Sequence, residues 1–280
     1  MKYRSAWISA CAFLAFFQSP SGVLAAEDKP LWEAGMGAAD MILPAYRGAQ
    51  ERRNFVLPMP YLVYRGDYFK SDRNGVRGVF FDSDRVELNL SFAASPPVSS
   101  SNISARRDMP NLKFSTELGP SLDFKLWQSD NRDQKVRLFL PVRGAFTMES
   151  NPQYIGWQFT PRLNVDIDNP KGLPGWTLGF VGGPIYGSAK QHEHYYGVAS
   201  QYATAQRPAY EAKAGYAGTQ FLSALWKRYP SYWVGGFLRY DNLHGAVIEN
   251  SPLVTQKSGF AGGVAISWIF GESGTRVSSE

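Results

Sequence analysis

This chain of 280 residues contains three histidines, and histidine is the side chain best suited to bind a metal ion or move a proton near neutral pH. The clearest are His192 and His194, which flank Glu193 and would point to one side of a β-strand, since residues two apart on a strand share a face. Such a pair could bind a metal ion. The sequence offers no clear third ligand, however, and a solvated loop is the alternative interpretation. His244 lies in a similar polar stretch.

Catalysis would need a nucleophile as well as a base. A Ser/His/acid hydrolase or an Asp/His protease could be built around these histidines. The sequence contains no Gly-x-Ser-x-Gly motif, which in one large class of hydrolases exposes the serine nucleophile. Three histidines in polar loops are thin support for an enzyme. We therefore expect no enzymatic activity, no catalytic residue, no cofactor and no metal.

Two adjacent arginines, Arg106 and Arg107, could bind the phosphates of lipopolysaccharide or an acidic ligand. The alternative is a loop that is simply solvated by its charges, or one that is held to Asp108. Arg106, Arg107, His192 and His194 are thus our candidate binding residues in loops outside the regular structure.

The elements that must position these loops are strands, because the main pattern in the sequence has period two. In the segment 259–270 the larger apolar residues Phe260, Val264, Ile266, Trp268 and Phe270 fall at every second position, and small residues lie between them. A closing strand with an apolar outer face and a final aromatic is typical of an outer-membrane barrel.

The same alternation predicts about twelve strands, an even number like that of single-chain bacterial barrels. The predicted strands are 32–40, 55–65, 66–72, 75–82, 84–95, 113–127, 135–147, 154–168, 176–189, 209–226, 232–241 and 259–270. Ten strands is the alternative, if the region 67–84 pairs differently. The long polar connections, roughly 43–54, 95–112, 190–206 and 242–257, would all lie at one end.

We therefore predict an all-β fold, a transmembrane antiparallel up-and-down β-barrel spanning residues 26–270. The alternative is a soluble β-sandwich or lipocalin-like barrel. In that case the apolar rows of all the long strands would have to fit into one core. Trp127, Trp157, Trp176, Trp226, Tyr232 and Trp233 fall near predicted strand ends, as interfacial aromatic girdles do. That placement favours the membrane barrel.

The polar face of each strand would line the lumen of this barrel. The predicted lumen residues carry both signs of charge: Arg85, Glu87, Glu117, Asp123, Lys125, Arg137, Arg143, Arg162, Asp166, Glu211, Lys213 and Arg239. Because isolated charges in a confined space are costly, one interpretation is a salt-bridged and largely closed interior. The other is a narrow polar pore that prefers anions because of its arginines.

Prolines occur inside four consecutive predicted strands, at Pro120, Pro141, Pro161 and Pro184. Each removes a hydrogen-bond donor from the ladder. Their similar predicted depth suggests a belt of bends or bulges in that part of the wall. Four unrelated bulges are the alternative.

The N-terminus predicts export. Lys2 and Arg4, an apolar run and the small-residue pattern up to Ala25 are typical of a secretory signal peptide over residues 1–25. The apolar run is too short to span a bilayer, which takes about 20 apolar residues. The only cysteine, Cys11, falls in this segment, so the mature chain would contain no disulfide.

Charge and the C-terminus add little about partners. Without Lys2 and Arg4 the chain has 27 basic residues, out of 29 in all, against 24 acidic ones. This excess is too small to indicate nucleic acid as a partner. Residues 271–280 follow the terminal aromatic and are predicted to form a periplasmic tail.

Several short motifs, in their order, resemble the MltA-interacting protein and OmpV family of outer-membrane proteins. They are Arg-Arg-Asp-Met-Pro-Asn-Leu at 106–112, Glu-Leu-Gly-Pro-Ser at 117–121, Leu-Pro-Val-Arg at 140–143, Arg-Pro-Ala-Tyr at 207–210, Gly-Tyr-Ala-Gly at 215–218, Arg-Tyr-Asp-Asn-Leu at 239–243, Gly-Ala-Val at 245–247, Asn-Ser-Pro-Leu-Val at 250–254 and Ser-Trp-Ile-Phe at 267–270. Two features depart from the family pattern: Asp108 stands where the family leads us to expect glycine, and a tail follows Phe270.

The resemblance implies a barrel in the outer membrane of a Gram-negative cell, in contact with its lipid and lipopolysaccharide. It also implies binding to a lytic murein transglycosylase and a bridge from it to a murein synthase. We therefore expect a non-enzymatic scaffold for murein synthesis and hydrolysis complexes. The alternatives are a narrow porin-like channel for small polar or anionic solutes and a protein that binds ligands or surfaces through its outer loops.

Overall fold

A computed structural model describes residues 29–72 and 75–277 of the chain. The predicted signal peptide therefore lies outside the described residues. The described strands are β1 (Lys29–Pro30), β2 (Trp32–Pro44), β3 (Arg52–Arg65), β4 (Phe69–Asp72), β5 (Gly75–Asp82), β6 (Val86–Ser95), β7 (Ser115–Gln128), β8 (Gln134–Thr147), β9 (Tyr154–Phe159), β10 (Arg162–Asp168), β11 (Trp176–Gly187), β12 (Gly215–Arg228), β13 (Tyr232–Asn242), β14 (Ser258–Glu272) and β15 (Arg276–Val277). One helix, α1 (Ala189–Tyr196), and three short 3-10 helices lie in the connections described. No described helix is both long and apolar enough to cross a membrane.

The strands from β2 to β14 close into an antiparallel barrel. Each strand pairs with its neighbours in sequence, and β14 pairs back with β2 from Gly262 opposite Ile42 down to Glu272 opposite Glu33. β9 and β10 are two halves of one wall strand, because both pair with β8 on one side and with β11 on the other. The wall therefore has twelve strands, which confirms the predicted fold, and the ten-strand alternative is wrong.

The two ends of the barrel differ. The end that we call the loop end carries the long connections 45–51, 96–114, 188–214 and 243–257, together with the shorter 148–153. The turn end carries the short connections 66–68, 83–85, 129–133, 169–175 and 229–231. All four long segments that the sequence predicts therefore lie at one end, because successive strands alternate in direction.

Three predicted lumen residues do not lie in the wall. Arg85 is exposed in the turn before β6, because the strand begins one residue later, at Val86. Glu211 and Lys213 are exposed in the connection before β12, which begins at Gly215 and not at 209 as predicted. The sequence around Glu211 continues the period-two pattern of β12, but this segment belongs to the long connection between β11 and β12.

The C-terminal segment is partly folded. β14 runs past Phe270 to Glu272, and β15 then pairs with β1, with Lys29 opposite Val277 and Pro30 opposite Arg276. The amide of Leu31 donates to the carbonyl of Thr275 over 2.9 Å. The predicted tail is thus folded up to Val277, where it forms a small two-stranded sheet with the residues that precede the barrel.

The four wall prolines mark a belt in which the strand pairing is interrupted. Pairing between β7 and β8 passes from Leu118 opposite Gly144 directly to Ser121 opposite Pro141. Pro161 lies in the break between β9 and β10, and the register between β11 and β12 shifts just after Pro184. Since proline cannot donate a ladder hydrogen bond, these breaks are where the sequence leads us to expect them.

Candidate functional site

The loop end of the barrel is covered by a folded cap. Its apolar core combines residues of all the long connections, and the fully buried members are Ile103, Val198, Leu243, Ile248 and Leu253. Tyrosine hydroxyls fasten these loops to one another. Tyr46 donates to the carbonyl of Leu253 over 2.7 Å, and Tyr196 to that of Arg47 over 3.0 Å. The loops therefore form one packed layer, which we call the cap.

Arg106 belongs to the interior of the cap and not to its surface. Its side chain is 3% exposed, and its guanidinium donates to the carbonyls of Tyr195 over 2.8 Å and Pro110 over 3.3 Å. It also lies 5.8 Å from the centre of the Tyr46 ring. The guanidinium of Arg106 is therefore occupied by contacts inside the cap and cannot bind lipopolysaccharide. Arg107 is exposed.

A second arginine, Arg207, joins two loops of the cap. It donates to the carbonyl of Tyr202 within its own loop over 2.7 Å. It also reaches the neighbouring loop, at the carbonyls of Arg107 over 2.7 Å and Ala105 over 3.1 Å. Sequence reasoning did not single out Arg207, although it opens one of the family-like motifs.

The two histidines occupy a helix and not a strand. Helix α1 begins after Ser188, whose side chain accepts a hydrogen bond from the amide of Gln191. Residues two apart on a helix do not face each other, so His192 and His194 cannot hold one metal ion together. No group of three metal-ligating side chains occurs within 29–72 or 75–277.

Both histidines stay neutral at neutral pH because the cap buries them. Burial lowers the pKa of His192, whose Nδ1 lies 2.6 Å from the carbonyl oxygen of Lys213. Burial, with the nearby charge of Arg106, lowers the pKa of His194 to about 4. His192 faces the inside of the barrel, whereas His194 stacks edge-on against Tyr195.

The turn end of the lumen is filled by an apolar floor. Met59, Tyr61, Val63, Trp226 and Trp233 point inward from β3, β12 and β13 and are buried, with Met59, Val63 and Trp233 fully so. The prediction that Trp226 and Trp233 belong to an interfacial girdle is therefore wrong. Aromatic side chains of this size contribute most of the buried area of such a cluster. The floor separates the upper lumen from the turn end on this side of the barrel.

Below the floor, one carboxylate holds two arginines. Glu33 on β2 accepts from Arg65 over 2.7 Å and from Arg228 over 3.1 Å, and the hydroxyl of Tyr61 donates to it over 3.2 Å. Buried charges are tolerated when they are paired and hydrogen-bonded in this way. Glu33 therefore joins β2, β3 and β12 at the base of the barrel, and sequence reasoning missed it because its strand alternates only weakly.

Other inward charges are paired along the wall. Arg77 on β5 contacts Glu87 over 2.6 Å and Asp72 over 2.7 Å. Asp241 on β13 accepts from Arg239 over 3.0 Å and from Arg47 of the cap over 3.1 Å. The lumen is therefore salt-bridged, which agrees with the closed interior that the sequence offered as one interpretation.

Between the cap and the floor lies a chamber of about 320 Å³. Among the described residues that line it are six arginines but only two carboxylates: Arg47, Arg53, Arg77, Arg143, Arg162, Arg239, Glu117 and Asp123. The structure thus brings the predicted residues Glu117, Arg143, Arg162 and Arg239 to one cavity. Glu87 lies behind Arg77, whereas Arg137 and Asp166 lie closer to the turn end, where Arg137 pairs in register with Asn164.

The charges of the chamber also contact neutral groups. Arg143 donates to the hydroxyl of Ser91 over 2.5 Å but approaches Glu117 only to 3.9 Å. The guanidinium of Arg162 lies over the Phe139 ring, 5.5 Å from its centre. Asp123 accepts from Asn89 over 2.7 Å. Arg47, Arg77 and Arg239 are offset by Asp241, Glu87 and Asp72, so Arg53, Arg143 and Arg162 against Glu117 and Asp123 leave an excess of one positive charge, which can receive an anion.

The chain was compared with known proteins. A family model described as MltA-interacting protein MipA matches residues 36–270. The chain belongs to this family. The match covers the barrel except for a few residues at the start of β2 and the end of β14, and it agrees with the resemblance of the motifs.

The similarity to solved structures is weak in both sequence and fold. A bacterial polysaccharide outer membrane secretin is 8% identical, with a TM-score of 0.41 over 86% of this chain and 99% of that one. OccK2 (OpdF) of Pseudomonas aeruginosa is 14% identical, with a TM-score of 0.19 over 75% of this chain and 65% of that one. No curated protein sequence matches the chain.

Proposed function

We propose that this protein is a non-enzymatic docking barrel of the outer membrane, which holds a murein transglycosylase at its periplasmic face. The family to which the chain belongs is described by its interaction with MltA. The loop end would then face the cell exterior, in contact with lipopolysaccharide, and the turn end would face the periplasm, where murein lies. A murein synthase would be the second partner of the same scaffold.

The observation that carries this proposal is the terminal sheet at the turn end. Short turns alone are a small surface, whereas a stable interface takes about 800 Å² from each partner. β1 and β15 add a folded, two-stranded projection beside the exposed side chain of Trp32. The edge of β1 is engaged by Arg65, which donates to the carbonyls of Pro30 and Leu31, whereas β15 pairs only with β1 among the described residues, so its outer edge can accept a strand from a partner.

The filled lumen supports a docking role over the alternative of a narrow channel. The cap covers the loop end, and the apolar floor fills the lumen on the side of β3, β12 and β13, which narrows any path for solutes. A channel would also be expected to carry reproducible unit conductance in a planar bilayer, so a silent, folded preparation would agree with the docking role.

The test is retention of a purified lytic transglycosylase by the barrel in neutral detergent. The full mature chain should retain the enzyme, and truncation after Glu272, which removes β15, should abolish retention while the barrel stays folded. As a matched control at the same end, Arg132→Gly should leave retention unchanged, because Arg132 has a φ of 59° that glycine adopts readily. Failure of the full chain to retain the enzyme, or full retention by the truncated chain, would refute the proposal.

A further inference from the structure

The wall of the barrel has a gap beside β3 that the strand count does not reveal. β3 runs from Arg52 to Arg65, but β4 pairs with it only at Tyr64 and Arg65. Above Tyr64 no strand within the described ranges pairs with this edge. The neighbouring hairpin of β4 and β5 is short, because β4 has four residues and β5 has eight, against fourteen in β3.

The backbone of β3 is adapted to an open edge. The amide of Arg65 donates toward Leu31, and the carbonyl of Leu62 accepts from Ser71 on the side of β4. Since backbone groups alternate along a strand, the groups of even-numbered residues face the gap. Pro58 and Pro60 are both even-numbered, so the two donors that proline removes are donors that would have faced the gap.

We call this gap the window. β3 and β6 form its sides, and the described strands β4 and β5 lie below it. Its upper border is a contact between two cap loops, where the amide of Ser104 donates to the carboxylate of Glu51 over 2.9 Å. The window therefore opens sideways through the wall, nearer to the loop end.

The chamber continues into the window. It is lined from the inside by Arg53, Phe55 and Arg77, and also by Val76 and Phe92, whose side chains are 40% and 49% exposed. Val76 and Phe92 alternate with inward residues and thus belong to the outer, apolar face of the wall. The cavity therefore connects the interior with the surface that faces the hydrocarbon of a membrane.

The two ends of this passage differ in chemistry. Its mouth is apolar, with Phe55, Val76 and Phe92. Its inner end carries the cationic excess of the chamber, and Nη2 of Arg53 is buried with no hydrogen-bond partner among the described residues. A buried donor without a partner costs free energy, and in native proteins such a donor calls for an explanation.

We propose that the window admits an anionic single-chain lipid from the membrane, whose acyl chain lies in the window and whose head group binds Arg53 in the chamber, with Arg143 and Arg162 close by. The volume of about 320 Å³ lies at the lower end of the range of ligand pockets, about 300–1,000 Å³, and thus suits one chain and not several. A carboxylate or a phosphate can accept the bidentate hydrogen bonds of arginine. This inference goes beyond the docking role and does not depend on it.

The experiment titrates the full mature protein, in micelles of a neutral detergent, and counts bound ligand by native mass spectrometry. The probes are palmitate, lysophosphatidate, hexadecanol and inorganic phosphate. We expect one palmitate or one lysophosphatidate per barrel, and the more tightly bound of the two identifies the head group. Hexadecanol should bind at least about tenfold more weakly, because it lacks the charge that arginine recognises. Inorganic phosphate should not bind in the same range.

Paired variants locate the ligand. Arg53→Gln should weaken binding about tenfold, the value of one hydrogen bond to a charged group, whereas Arg52→Gln on the outer face should leave it unchanged. Ala93→Trp, inside the chamber beside the window, should also prevent binding, and Leu88→Trp on the outer face should not. Wild-type resistance of each variant to protease shows that it is folded.

Three results of the lipid titrations and the paired variants would overturn the inference, and a fourth concerns inorganic phosphate. They are no bound palmitate or lysophosphatidate, equal binding of hexadecanol and palmitate, and equal effects of the Arg52 and Arg53 substitutions. Tight binding of inorganic phosphate alone would also overturn it, because the acyl chain would then contribute nothing.

Discussion

Arg106 should hold the cap closed, and its replacement by alanine should open the cap without unfolding the barrel. The side chain is buried and donates to the carbonyls of Tyr195 and Pro110, so that its removal leaves these acceptors beneath the cap without their donor. A hydrogen bond to a charged group contributes about 1.5–3 kcal/mol, and the Tyr195 bond at 2.8 Å is the stronger of the two. With a weaker second bond, the loss is about 3 kcal/mol.

This loss corresponds to an increase of about two orders of magnitude in the population of open caps. Hydrogen–deuterium exchange, followed by mass spectrometry, measures it directly as faster exchange in segments 96–114 and 188–214, while the wall strands keep their protection. Arg107→Ala is the matched control, since Arg107 is exposed, and its effect should stay within about 0.5 kcal/mol. Equal exchange in the two variants would refute the assignment of Arg106 to the interior of the cap.

Three further predictions address the cap and the floor. The stability of the cap should be constant between about pH 7 and 9 and should fall by up to about 3 kcal/mol as the pH is lowered from 6.5 to 4, because the unfolded loop protonates His194 near 6.5 and the folded loop only near 4. His194→Gln should reduce this dependence in exchange measured against pH, and burial of His192, which also lowers its pKa, should account for what remains. Asp108→Gly should stabilise the cap by about 1 kcal/mol, since Asp108 has a φ of 66° in the left-handed region, and a loss of protection in segment 96–114 would contradict this. Trp233→Ala should destabilise the barrel by about 3–5 kcal/mol through a cavity in the floor, measured by thermal unfolding against the exposed control Trp268→Ala.

The twelve-strand barrel could be predicted from the sequence because each wall strand repeats its alternation over many residues. A long period-two pattern indicates a β-strand. Because successive antiparallel strands alternate in direction, every second connection then lies at the same end of the barrel. The strand boundaries were less certain. The pattern 209–226 continues into residues that form a loop, because period two also arises by chance in a polar segment, and only the closure of the cap decides that Glu211 and Lys213 leave the wall.

The candidate site could be predicted only in part. Alternation correctly places Glu117, Arg143 and Arg162 on the inner face. The side of the sheet to which a side chain points depends only on its position along the strand. Whether a loop residue is buried or exposed depends on contacts with residues far away in the sequence. Arg106 is buried by Tyr195, which lies 89 residues away, and no local pattern announces such a contact. The departure at Asp108 was a usable signal, because a position expected to hold glycine indicates a positive φ.

The window also had a signal in the sequence. Pro58 and Pro60 lie inside the predicted strand 55–65, and the two predicted strands that follow are short. A strand with two prolines is typical of a sheet edge, and a barrel that contains such a strand must be open beside it, at least over part of its height. The four prolines of the belt do not indicate an opening in the wall, because the strands that contain them still have neighbours on both sides.

The inner charges differ in what they contribute, and this difference separates structure from function. At the base, Glu33 accepts from two arginines and a tyrosine, and along the wall Arg77 and Asp241 each hold two partners. Such sets are balanced, so their charges are accounted for by holding strands and loops in register. The other arginines that line the chamber are Arg53, Arg143 and Arg162, against the two carboxylates of Glu117 and Asp123, and Arg53 keeps a buried donor without a partner among the described residues. Because folding alone gives no reason to bury that donor, and because the chamber opens to the apolar face through the window, the imbalance is best accounted for by an anion that completes the site.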